Sequence, residues 1–103
     1  MMVCVPTVVV LSPNGGESFQ ASSLQTIQWN AASGIASVNI SLSRDGGLTF
    51  RRIASGEQGN SFSWTVPPVT QPVTACLIRI RGFDAGGNRV GSDRSDGVFR
   101  IVP

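Results

Sequence analysis

The stretch Val38-Asn39-Ile40-Ser41-Leu42-Ser43 alternates apolar and small polar side chains residue by residue, the period of a pleated strand that buries one face and wets the other. Equivalent short segments recur along the whole chain, separated by clusters of Gly, Pro, Asn, Asp and Ser, and nowhere does an apolar period of about 3.6 persist over three turns. A chain built this way has no long helix to form. The first segment runs from Pro6 to Ser12, with Val8 and Val10 on one face, and stops at Ser12-Pro13-Asn14-Gly15-Gly16. A second, Leu24 to Asn30, places Ile27 and Trp29 together. The third, Ala36 to Ser43, sends Val38, Ile40 and Leu42 inward and Asn39, Ser41 and Ser43 outward. In the fourth, Leu48 to Ala54, the large residues Phe50 and Ile53 have opposite parity. A bulge at Arg51-Arg52 reconciles them and suits an edge strand. The fifth, Ser61 to Val66, sends Phe62, Trp64 and Val66 inward and ends at Pro67-Pro68. Val73 to Phe83 follows, with Cys76, Ile78 and Ile80 inside and Leu77, Arg79 and Arg81 outside. Val98 to Val102 closes the series with Phe99 and Ile101.

Seven such segments within 103 residues predict an all-β protein, a seven-stranded β-sandwich of the immunoglobulin-like or fibronectin-III-like kind. The length accommodates one domain, residues 1–103, with residues 1–5 a loose N-terminal tail. If the strands alternate in direction, Cys4 and Cys76 lie at opposite ends of the sandwich. Their Cα atoms would be ~15–20 Å apart, against a bridging limit of ~7 Å. Cys76 is therefore expected to be a free buried thiol and Cys4 a terminal residue.

Composition bears on chemistry through what is missing. The chain has no His, no Tyr and no Lys, and all eight basic residues are Arg. A Ser-His-Asp triad, a Schiff-base lysine and a histidine-containing zinc site are excluded by inventory. The six acids, Glu17, Asp45, Glu57, Asp84, Asp93 and Asp96, all fall in expected turns or loops, and none is embedded among aromatics that would raise its pKa for glycoside hydrolysis. No catalytic residue and no cofactor follow. The formal charge of +2 is spread among interspersed acids, so no basic stripe for nucleic acid stands out along the chain. No apolar run is long enough to cross a membrane, and the Met-Met start lacks a basic flank. The chain reads as a mature or excised module.

Four motifs invite a functional reading. Ser43-Arg44-Asp45-Gly46-Gly47-Leu48-Thr49-Phe50 resembles the Asp-box hairpin of β-propellers, in which the carboxylate accepts N–H bonds across the turn, a glycine takes positive φ and the aromatic packs beneath. A structural turn is the expectation. Asp84, Asn88, Asp93 and Asp96 put oxygen-bearing side chains in the connection between the last two strands and are the candidate calcium ligands, although the cluster lacks EF-hand spacing and also suits turn chemistry. Sugar binding would need exposed aromatic platforms. Trp29 and Trp64 fall in phase with inward positions, leaving Phe19 and Phe83 as the exposed candidates. Asn39-Ile40-Ser41 is a glycosylation sequon if the chain is secreted by a eukaryote.

Taken together, Val10-Leu11-Ser12-Pro13-Asn14-Gly15-Gly16-Glu17, Thr26-Ile27-Gln28-Trp29, Val38 to Gly47, Phe62-Ser63-Trp64-Thr65-Val66-Pro67, Leu77-Ile78-Arg79-Ile80 and Ser92-Asp93 with Ser95 before Phe99-Arg100-Ile101 resemble the domain of the Ser/Thr-rich glycosylphosphatidylinositol-anchored membrane protein family. The resemblance implies an extracellular β-sandwich appended to larger secreted or surface proteins, with no catalytic residues to carry over. The expected function is a non-catalytic spacer or interaction module at the cell surface or outside it. Its partners would be neighbouring domains of a parent polypeptide and a protein or glycan ligand, with no nucleic acid and no membrane insertion. The alternative is a carbohydrate-binding module.

Overall fold

A computed structural model describes residues 8–32 and 34–103. The expectations for Cys4 and the tail lie outside the described residues, as does the start of the first segment. Among the described residues nine strands follow one another without a helix: β1 (Val8–Ser12), β2 (Ser18–Gln20), β3 (Leu24–Ala31), β4 (Ser37–Ser43), β5 (Arg51–Glu57), β6 (Ser61–Thr65), β7 (Val73–Phe83), β8 (Arg89–Arg94) and β9 (Phe99–Val102). They form two sheets. One is three-stranded in the order β1-β3-β6, and the other runs β2-β9-β7-β4-β5 with β8 paired to β7. The β-sandwich expected from the alternation is the fold.

β4 lies between β5 and β7 and sets the register of the larger sheet. On its inner face Ile40 opposes Ile80 and Leu42 opposes Ile78, and all four are buried. Burying side chains of this size stabilises the fold by ~1.5–3 kcal/mol each. The facing sheet supplies Val8, Val10, Ile27, Trp29 and Trp64 to the same core. Cys76 is a buried free thiol within it. Phe19, expected to be exposed, instead stands edge-on to Trp64 with ring centroids 6.3 Å apart and lies 5.5 Å from Phe99.

The two additional strands have separate causes. β2 is only three residues long and pairs in parallel with β9, too short to show a period. β8 occupies what the sequence suggests is a loop. With β9 it traces one broken strand along β7, the first half pairing Arg79 to Phe83 and the second Val73 and Cys76. The break falls at Ser95. Its hydroxyl accepts the Ile78 N–H at 3.1 Å and donates to the Pro13 carbonyl at 2.7 Å, so this buried side chain joins β7 to the end of β1.

The bulge in β5 is present, opposite Ile40 and Ser41, one position beyond the Arg51-Arg52 pair. Phe50, however, is not in the core. With Phe50 and Arg52 on the outer side of the edge strand, the ring lies under the Arg79 guanidinium, 3.9 Å from its carbon. Leu77, Ser41 and Ser43, expected to face water, are buried. The β4–β5 connection folds over them: a Cβ on Gly47 would sit 3.4 Å from Leu77 Cδ1. The large sheet thus has a partial cover on its outer face.

Candidate functional site

The Asp-box-like connection is a hydrogen-bonded turn. The Ser43 hydroxyl donates to Asp45 Oδ1 at 2.8 Å and accepts the Gly47 N–H at 2.8 Å. The same Oδ1 accepts the Thr49 amide N–H at 3.0 Å, and Oδ2 accepts the Thr49 hydroxyl at 2.5 Å. These bonds, from Thr49 first and then Ser43, hold the Asp45 pKa down to about 2. A carboxylate so engaged is a turn-former with no proton to trade at neutral pH. Gly46 and Gly47 take φ of 75° and 97°, as the turn requires.

The four candidate metal ligands occupy three different places. Asp84 caps its own hairpin, accepting the N–H groups of Gly86 at 3.0 Å and Asn88 at 2.9 Å, and Asn88 turns its amide to the same carboxylate. The Asn88 backbone N–H first, and then its side-chain amide and the Gly86 and Gly87 N–H groups, lower the Asp84 pKa against an opposing effect of burial. Asp93 sits on β8 opposite Ile80 and reaches across the sandwich to accept the Val10 N–H at 2.8 Å. Asp96 exchanges bonds with Asn14 at 3.0 and 2.9 Å. Among the described residues no three acidic or cysteine side chains gather as a metal would need. In the sequon, Asn39 is half-buried on the central strand and its side-chain oxygen accepts the Gly56 N–H at 3.1 Å.

What the fold does gather is arginine. Outward positions of β4, β7 and β8 line up as Ser41–Arg79–Arg94 and Asn39–Arg81–Ser92, with Arg52 beside Ser41 and Arg89 opposite Phe83. No outward register position on these three strands holds a carboxylate. Facing Cα atoms across such a ladder are ~5 Å apart, and alternate residues along a strand ~7 Å. Burial, and then the charges of Arg81, Arg89 and Arg94, depress the Arg79 pKa. The Nε atoms of Arg79 and Arg81 are buried and find no partner among the described residues. Meanwhile Glu17, Asp45, Asp84, Asp93 and Asp96 accept bonds elsewhere. Around the β5 edge this face continues into an open groove of about 550 Å³ whose rim carries Arg44, Arg51 and Arg52 above Leu42 and Trp64.

The linear sequence conceals this face. Arg79 and Arg81 are legible as outward residues, but Arg89 and Arg94 lie in a stretch with no apolar alternation. Only the pairing of β8 with β7 brings Arg94 opposite Arg79. The even spread of charge along the chain becomes a one-sided charge in three dimensions.

No family model matches the chain, and no curated protein matches it significantly, so the likeness to the glycosylphosphatidylinositol-anchored family rests on the motifs alone. Solved structures do match. The fibronectin(III)-like modules of CbhA from Clostridium thermocellum superpose with a TM-score of 0.59 at 16% identity, covering 92% of this chain and 93% of theirs. A Fn3-like protein from Clostridium thermocellum gives 0.60 at 16% identity over 86% and 91%. The sandwich described above therefore has the fibronectin-III-like fold.

Proposed function

We propose that the chain is a non-catalytic accessory module of a larger extracellular polypeptide, one independently folding domain that spaces or positions its neighbours. The observation that carries this reading is the employment of five of the six carboxylates. With His, Lys and Tyr absent, carboxylates are the main groups left for acid–base chemistry. Asp45, Asp84 and Glu17 each hold a turn, Asp93 joins β8 to β1, and Asp96 joins two connections through Asn14. The fibronectin-III-like likeness over nearly the whole length supports a modular role. The test is an immunoblot of cell and medium fractions of the source organism with an antibody to this chain. A band well above 10.8 kDa in the medium or surface fraction is expected, whereas a free 10.8 kDa species confined to the cytosol would refute the reading. Release of reducing sugar from soluble polysaccharides by the purified chain would refute it too.

A further inference from the structure

We propose that the outer face of β4, β7 and β8 is a binding surface for a carboxylated polysaccharide, gripped by Arg79, Arg81, Arg89 and Arg94. This goes beyond the accessory-module reading and is independent of it. Like charges brought this close repel one another, and two of the guanidinium groups keep a buried Nε without a partner. Apart from the stacking of Arg79 on Phe50, folding gives no return for that arrangement. An anionic partner does, because the planar guanidinium fork matches a carboxylate through two parallel hydrogen bonds.

The surroundings select the class of polyanion. A protein partner needs an apolar anchor at the centre of its contact. Among the described residues the exposed large apolar side chains are Val9, Leu11, Leu24, Leu48, Val90 and Val98; of these Val90 alone belongs to β4, β7 or β8, at the bulged end of β8, so no apolar anchor stands at the centre of the face. Single-stranded nucleic acid needs open aromatic faces on which bases stack. Phe50 is capped by the Arg79 guanidinium, and Phe83 is half-buried beside Ser37. What lies between the arginines is Asn39, half-buried, and the exposed Ser92, short amide and hydroxyl groups, with Ser41 buried beneath them. A hydrated chain bearing carboxylates at intervals is complementary to that surface in both charge and polarity.

The experiment is a binding titration of the purified chain against polygalacturonate, with a neutral β-glucan, poly-L-glutamate and a single-stranded oligonucleotide in parallel. Polygalacturonate is expected to bind tightest, and its affinity to fall steeply between 20 and 200 mM NaCl, roughly across the range where screening shortens from ~20 to ~7 Å. The double variant Arg81→Gln with Arg94→Gln should lose more than about tenfold in affinity, since two charge-assisted contacts go. Arg100→Gln, on β9 and outside the paired rows of β4, β7 and β8, should lose less than about twofold. Each variant's thermal unfolding is recorded first, and Arg81→Gln and Arg94→Gln are also made singly in case the double variant does not fold. The proposal is overturned by absence of polygalacturonate binding at 20 mM NaCl. Equal or tighter binding of poly-L-glutamate or the oligonucleotide overturns it as well, as does a loss in Arg100→Gln matching that in the cluster variants. None of these results bears on the immunoblot.

Discussion

Ser95 shows how much a single small side chain carries when it lies where a strand breaks. Its hydroxyl serves the Ile78 N–H and the Pro13 carbonyl together, both in the interior. Ser95→Ala leaves two buried polar groups unpaired, and we expect it to cost ~1–3 kcal/mol in urea unfolding, with the fold retained. A variant as stable as the parent would show that the node is dispensable. Asp45 provides a second residue-scale expectation. Its pKa lies below the ordinary 3.8, at about 2, so the charged form is the one the folded hairpin favours. Its contribution is present in full above about pH 4 and fades as the pH falls through about 2. The Thr49 amide shift in NMR should titrate with a midpoint near 2. A midpoint near 3.8 would mean that the turn does not hold the carboxylate. These bonds are legible in the sequence, because a Ser-x-Asp-x-Gly-x-Thr spacing closes locally. The Ser95 node is not, since Pro13 lies 82 residues away.

At the scale of elements, the segments that the sequence reveals are those with a buried and a wet face. The sequences of β3, β4, β6 and β7 alternate because each contributes one side to the core, although the other side of β4 and β7 is covered at Ser41, Ser43 and Leu77. β8 has no such signature, for its inward residue at the point opposite Ile80 is Asp93, employed in accepting the Val10 N–H. An acid there blocks the backbone of the β1 edge as an inward charge does on many edge strands. Where β1 crosses β7, Gly82 is the residue that permits the approach. A Cβ there would meet Val8 Cγ2 at 2.7 Å and Ile35 Cδ1 at 2.8 Å. Gly82→Ala should therefore destabilise by ~1–3 kcal/mol, the usual cost of overpacking. Gly34→Ala, with nothing within 4 Å, should be neutral or slightly stabilising. Equal urea midpoints for the two would contradict the close packing of β1 on β7. No sequence pattern marks Gly82 as different from the chain's other glycines, because the contact is made by a partner far along the chain.

For the whole molecule, the sorting of charge to one side has a thermodynamic consequence that needs no ligand. Guanidinium groups on neighbouring strands repel, and salt screens that repulsion over ~10 Å at 0.1 M. The melting temperature should rise as NaCl is increased from 10 to 150 mM, and Arg94→Gln should make the rise smaller by removing one member of the set. A salt response unchanged in Arg94→Gln would place the effect elsewhere. The sandwich, its central strands and its buried tryptophans are legible in the residue order. Period-two patterning and turn chemistry act between residues close in the chain and can be read one segment at a time. The sequence by itself also determined that histidine and lysine chemistry is absent. Tertiary structure alone decided that Phe50 lies under Arg79 and outside the core, that Leu77 and Ser43 are covered, and that arginines from β5, β7 and β8 share one face. Those outcomes depend on which strand lies beside which and in what register, and register is set by the packing of both sheets together.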